Sequence, residues 1–135
     1  MFMDLFLQAQ DIHSITIGFV CADRLNTKKV YLVSPERYLK SVKDFFAEQH
    51  ISFSQIKRIF IVSGPGSFTA SRISVMIGNT LSFVWNIPIF GVSNPNNLSS
   101  EDLLQKLFSE PLRAAVCGVA PVYDRPPRIT KKVIM

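Results

Sequence analysis

At 135 residues the chain is long enough for one domain with a real core, and 47% hydrophobic against 19% charged residues excludes intrinsic disorder. Eleven Phe beside a single Trp supply bulky core material, and the formal charge of +5 with a sequence pI near 9.5 invites a nucleic-acid partner.

The chain opens with strand patterns. Residues Asp4 to Leu7 are largely apolar, and Ser14 to Val20 alternate with period two, as a half-buried strand does. A turn-like Asp23-Arg24-Leu25-Asn26 precedes a third strand over Lys29–Val33. Three strands with short connections predict an antiparallel meander. The segment Met1–Gln10 carries Asp4 and has no basic region before its apolar run, so it does not read as a signal peptide. Cys21 and Cys117 match no metal spacing, and two lone thiols without a secretory signal suggest a reducing, cytoplasmic setting.

Ser34-Pro35-Glu36 signals a helix start, with Ser34 as cap and Pro35 in the first turn, and predicts a helix over 35–49. Leu39, Val42, Phe45, Phe46 and Gln49 are expected on its core face, with Lys40 and Lys43 pointing elsewhere. Residues 51–57 form a connection with Ser54 as a possible cap. Ile59 to Val62 is a continuous apolar run, expected of a central strand covered on both faces.

That strand runs into Ser63-Gly64-Pro65-Gly66-Ser67-Phe68-Thr69 and then a helix over 67–85. Two glycines permit a sharp turn, and exposed N–H groups at a helix start can cradle an anion. On chemistry alone the turn is either a tight strand-to-helix connection or a ligand site. The helix carries a small stripe, Ala70, Ser74, Gly78 and Ser82, beside a large one, Ile73, Ile77, Leu81 and Trp85. Small residues at this spacing admit a second helix closely. Met76 and Phe83 extend the apolar surface, leaving Arg72 and Asn79 as its main polar positions. A chain this short would struggle to bury all of it, so Ala70, Ser74, Ile77, Gly78, Leu81 and Ser82 are assigned to a partner surface. On that assignment Gly78→Leu leaves the fold intact and breaks association.

Pro88 to Val92 predicts another buried strand, Ser99 to Asp102 cap a short helix through Phe108, and Ala114–Val119 predict a final strand. No charge falls between Arg72 and Glu101, but Asn79, Thr80, Asn86 and Pro88 interrupt the apolar run, so a buried helix and strand are expected there and not a membrane span. Most of the excess positive charge sits in residues 124–135, where Arg125, Arg128, Lys131 and Lys132 face only Asp124. That tail reads equally as a phosphate-attracting arm or a solvated terminus. Catalytic groups are sparse. His13 and His50 show no obvious acid or thiol partner and read as surface or turn histidines, Cys117 has only Arg113 near it, and no paired-carboxylate or metal pattern is present.

As a string, Ser63-Gly64-Pro65-Gly66-Ser67-Phe68-Thr69-Ala70-Ser71-Arg72-Ile73 resembles the signature G-P-G-S-F-T-G-x-R-I-G of the TsaB (YeaZ-like) family. Gly64, Pro65, Gly66, Ser67, Phe68, Thr69 and Arg72 are its matching positions. Ile87 to Ser93 resembles that family's next strand, and Pro121 to Pro126 resembles its frequent ending P-x-Y-x-R. The resemblance covers roughly residues 3–98 and the tail.

It implies an α/β fold: a single actin-like, Hsp70-like (ASKHA) lobe, with a mixed sheet, an antiparallel meander and packed helices. It also implies a non-catalytic scaffold that works with the catalytic TsaD subunit and the ATPase TsaE in tRNA threonylcarbamoyladenosine synthesis, or pairs with a second copy of itself. By the same resemblance the helices over 35–49 and 67–85 meet those partners.

The departures are local. Gln8-Ala9-Gln10 stands where the family usually carries Asp-Thr-Ser, with no carboxylate to position a metal-bound phosphate, and Ala70 and Ser74 replace two family glycines. The expectation is one domain over 1–135, with a first lobe over 1–98 and a shortened second part over 99–135. No cofactor, no bound metal and no useful ATP binding are expected. Two other readings stay open: a small phosphate- or nucleotide-binding enzyme using the Gly64–Thr69 loop, and an RNA-binding module relying on the basic tail.

Overall fold

The computed structural model describes residues 2–110, 112 and 118–120. Apolar runs fix the centre of the sheet. Strand β1 (Met3–Gln8) is buried on both faces except at its last residue. It pairs antiparallel with β2 (Ile15–Cys21), Leu5 opposite Phe19, and parallel with β4 (Ile56–Gly64), Leu5 opposite Ile59. Strand β3 (Arg24–Tyr31) extends the meander from β2, and β5 (Ile89–Ser93) lies parallel to β4. The order β3-β2-β1-β4-β5 makes the sheet mixed, with the meander on one side and the parallel strands on the other.

Side chains sort by strand alternation. Leu5, Leu7, Ile17, Phe19, Ile59, Ile61 and Ile89 face the helices α1 (Tyr38–Gln49) and α2 (Phe68–Trp85). Phe6, Val20, Phe60, Val62 and Phe90 face α3 (Ser100–Phe108), which buries Leu103 and Leu104 on them. Helix α3 therefore packs on the same sheet as residues 3–93.

Three local expectations are corrected. β3 begins at Arg24, five residues earlier than its apolar run suggests, because Ala22 (φ 53°) and Asp23 (φ 60°) close a two-residue hairpin. As an edge strand it carries Arg24, Lys28 and Lys29, and so lacks the apolar signal of a buried strand. On α1 the buried stripe is Tyr38, Val42, Phe45 and Phe46, while Leu39 and Gln49 are exposed. The period-3.6 stripe starts at Tyr38, whose hydroxyl donates to the Asp11 and Ser14 carbonyls at 3.0 Å each and ties α1 to the β1–β2 turn. A single turn over Phe53–Gln55 is capped by Ser52, not Ser54: the Ser52 Oγ accepts from Ser54 N, and Gln55 Oε1 accepts from Ser52 N at 2.9 Å.

A half-buried ion pair has no signal in the sequence. Arg58 grips Asp4 with Nε at 3.0 Å and Nη2 at 2.7 Å, and stacks over Phe60 at 5.0 Å. The Asp4 carboxylate beside it raises the Arg58 pKa further. The strand expected at 114–119 falls mostly outside the described residues, and Gly118 and Val119 are not in a strand. Cys117, Arg113, the Pro121–Pro126 motif and the basic tail also lie outside them.

Candidate functional site

The carboxyl ends of β1, β4 and β5 meet, and the glycine loop springs from the middle one. Such junctions are where α/β sheets bind ligands. Gly64 adopts φ 121°, a conformation that favours glycine. Gly66 is required for a different reason. A Cβ there would sit 2.5 Å from the Gln10 carbonyl oxygen and 2.8 Å from its Cα. The same carbonyl accepts from Ser67 N at 2.9 Å, and the Ser67 hydroxyl caps α2 by accepting from Ala70 N.

Around this turn runs a network of neutral amides. Gln10 Nε2 donates to the Pro65 carbonyl and, at 3.3 Å, to that of Asn94, while its Oε1 accepts from Asn94 Nδ2 at 3.0 Å. Gln8 Nε2 donates to Gln10 Oε1 at 3.0 Å, and Ser100 Oγ donates to Gln8 Oε1 at 2.7 Å. Asn94 N donates to the Gly64 carbonyl at 2.7 Å. Asn94 and Ser100 were not expected as site residues; they lie far from the loop in sequence.

A polar groove of about 260 Å³ opens beside the network, lined by Gln8, Asp11, Thr16, Lys28, Asn97 and Ser99 among others. Asp11 is exposed and caps its own turn through His13 N at 2.9 Å. Lys28 is paired with Glu101 at 3.0 Å. A magnesium–phosphate group needs a free carboxylate and unspent N–H donors. Gln8 and Gln10 offer bonded amides instead, and Asp11, the carboxylate on this turn, already accepts from His13 N, so positions 8 and 10 supply no ligand for that group. Among the described residues, no three His, Cys, Asp or Glu side chains gather as a metal site.

Helix α2 overturns the partner assignment for its small stripe. Ala70, Ser74 and Gly78 are buried, and a Cβ on Gly78 would lie 3.2 Å from Ile89 Cδ1 and 3.5 Å from Ile61. The small residues let the helix sit close to its own sheet, not to another molecule. Ile77 and Leu81 are half-buried in the same core, and Ser82 Oγ closes the helix end on the Ile87 carbonyl at 2.6 Å. Asn79 is not open either: its amide pairs with Val119 N and O at 2.8 and 2.9 Å. What α2 does expose is Arg72, Met76 (51%), Thr80, Phe83 (87%) and Val84 (66%), with Phe68 and Thr69 at its start. No helix among the described residues is long and apolar enough to cross a membrane.

Comparison with known proteins agrees with this arrangement. The family model of TsaD, the tRNA N6-adenosine threonylcarbamoyltransferase, matches residues 34–118, more than half of the chain. The tRNA threonylcarbamoyladenosine biosynthesis protein TsaB of Buchnera aphidicola subsp. Schizaphis graminum is 32% identical over 98 residues, covering 73% of this chain and 45% of that protein. Among solved structures, YeaZ from Pseudomonas aeruginosa superposes with a TM-score of 0.61 at 24% identity, over 70% of this chain and 45% of that one. A second Pseudomonas aeruginosa structure, described as an uncharacterized protein with similarity to peptidase YEAZ, gives the same TM-score and identity over 70% and 44%. The structural likeness establishes the fold, an actin-like lobe of the YeaZ type. The chain spans about half the length of the relatives it matches.

Proposed function

We propose that this chain, which belongs to the TsaD (tRNA N6-adenosine threonylcarbamoyltransferase) family as a TsaB/YeaZ-like protein, is a non-catalytic scaffold that binds and activates a TsaD-type subunit in tRNA threonylcarbamoyladenosine synthesis. The observation that carries this reading is the outer face of α2, where Met76, Phe83 and Val84 stand exposed on a helix whose one charged residue is Arg72. Apolar area left in water is unfavourable by about 25 cal/mol per Å², so three large apolar side chains exposed on one helix, interrupted by Arg72 and Thr80, favour a docking surface.

The match to the TsaD family supports this choice of occupant. Residues 34–118 include α1, β4, α2, β5 and α3, so partner and scaffold share a lobe plan and can pair through like helices. In this reading a TsaE-like ATPase joins the complex, tRNA is held indirectly, and the work is cytoplasmic. The lobe over residues 1–98, with α3 packed on it, acts as one unit. The alternative, a small phosphate- or nucleotide-binding enzyme at the Gly64–Thr69 loop, is disfavoured because the amide network already engages the turn.

Sedimentation of the purified chain with TsaD tests the proposal. Phe83→Asp and Met76→Asp should each weaken association roughly 10- to 100-fold, while thermal stability stays within about 0.5 kcal/mol of wild type. Undiminished binding by both variants overturns the proposal. So does a chain that ignores TsaD and forms only a homodimer that Phe83→Asp dissolves.

A further inference from the structure

We propose that Gln10 is a positioning residue for the Gly64–Ser67 turn, its side-chain amide holding from inside the kind of junction that elsewhere is held by a bound anion. The inference does not depend on the partner reading, because its test uses the isolated chain. Strand–glycine turn–helix junctions present N–H groups that an anion can bridge and order. Here the Gln10 backbone carbonyl takes one of those N–H groups, that of Ser67, and the Gln10 side chain holds the carbonyl side of the turn. Gly66 is pressed onto the Gln10 backbone, and the Gln10 carbonyl takes the Ser67 N–H at 2.9 Å. The side chain then turns to the other flank of the turn, donating to the Pro65 carbonyl and to that of Asn94.

Its remaining capacity is also spent. Oε1 accepts from Asn94 Nδ2 and Gln8 Nε2, both at 3.0 Å. A primary amide has two N–H donors and one acceptor oxygen with two lone pairs, and all four are used. Asn94 is 2% exposed and passes the restraint on, accepting from Leu98 N at 2.8 Å. The ends of β1, β4 and β5 and the approach to α3 are thereby locked to one side chain. Ser67 caps α2, so the lock also sets the first turn of the helix whose outer face is apolar.

The chemistry demands an amide and not merely bulk. A carboxylate at position 10 would put an acceptor oxygen in place of Nε2, facing the Pro65 and Asn94 carbonyls, and its protonation would return one O–H donor. Gln10→Glu is therefore close to isosteric, but its loop order should depend on pH. Asp11 and His13 on the same turn, Lys28 and Glu101 across the groove, Asp102 on α3 and Arg72 on α2 also carry or acquire charge. Each variant is therefore read against wild type at the same pH.

The test is backbone hydrogen exchange over residues 64–70 of the full chain, at about pH 5 and about pH 8, corrected for intrinsic rates. Gln10→Ala should exchange roughly tenfold faster than wild type at both pH values, with α1 unchanged. Facing two carbonyl oxygens in a half-buried turn, the Gln10→Glu carboxyl should protonate above the ordinary Glu range, so the variant should match Gln10→Ala near pH 8 and return to within about threefold of wild type near pH 5. Wild-type protection in both variants at both pH values overturns the inference. If Gln10→Ala loses protection throughout, the pH response of Gln10→Glu decides alone: recovery in acid supports the tether, and none overturns it. Millimolar inorganic phosphate should leave wild-type exchange unchanged. Slowing confined to residues 64–70 would mean the turn still takes an anion, and would also overturn the inference.

Discussion

Helices α1 and α2 cover the same face of the sheet, yet they present opposite surfaces to solvent. The outer side of α1 is charged. Lys40 and Asp44 pair at 2.9 Å, and Glu48 holds Lys29 at 3.0 Å and the Tyr31 hydroxyl at 2.9 Å. Hydrogen bonds from those two groups keep the Glu48 carboxyl below its usual range. The outer side of α2 carries Met76, Phe83 and Val84. The inner sides differ too. α1 stands on large aromatics, with Phe45 4.7 Å from Phe19, whereas α2 lies close on small residues with Gly78 against Ile61 and Ile89. Close seating leaves α2 its large residues for the flanks and the outside. One outer surface is laced with ion pairs, and the other carries large apolar side chains.

The sharpest way to break this comparison is to enlarge a small residue on each helix. Gly78→Leu should be destabilising by about 1–3 kcal/mol through overpacking, offset in part by up to about 1 kcal/mol of helix propensity. Its melting temperature should fall by several degrees. Ala47→Leu on the exposed side of α1 should stay within about 0.5 kcal/mol. Thermal melts of the two variants check this, and equal melting temperatures would remove the claim that α2 is seated on its small stripe. This outcome for Gly78→Leu reverses the one expected from the sequence, in which the variant stays folded and loses only its partner.

Next is the anchor of α1. Burial, with the nearby negative charges of Asp11 and Glu36, pushes the Tyr38 hydroxyl from 10.0 up to about 12. The folded state thus favours the neutral phenol. That stabilisation is complete below about pH 10 and is lost as pH rises from there towards 12. Tyr38→Phe removes two hydrogen bonds and should be less stable at neutral pH by about 1–2 kcal/mol, with a flatter decline between pH 10 and 12. Denaturant midpoints across that window decide it, and parallel slopes for variant and wild type would dismiss the anchor.

The smallest effect lies on the sheet side of α2. Ser71 is fully buried and its hydroxyl has no hydrogen-bond partner. Removing an unsatisfied hydroxyl relieves a desolvation cost, so Ser71→Ala should be neutral or stabilising by up to about 1 kcal/mol. A loss above that size, read from urea unfolding, would mean the hydroxyl is bonded in solution.

Much of the fold is legible from local patterns because both repeat lengths are written in the residues. β1, β2, β4, β5 and α2 fall within about three residues of their predicted bounds, and Ser99 caps α3 as expected, whereas the side chain of Ser34 makes no capping hydrogen bond. β3 was misplaced because an edge strand needs no apolar face, and a hairpin through Ala22-Asp23 carries no glycine to announce it.

The antiparallel meander, the glycine turn and the two stripes of α2 are written in spacing along the chain or in a short string, and the mixed sheet is implied by the resemblance that string carries. Only the tertiary structure decided which stripe faces the sheet. A helix period marks faces without saying which one meets a neighbour, and Gly78 is explained by Ile61 and Ile89, residues outside its own helix. The same holds at the candidate site. Gln10 is visible as a departure from an acidic turn, but its bonds to Pro65 and Asn94 cross 55 and 84 positions. Buried polar groups must find partners, and folding, not local spacing, brings these together.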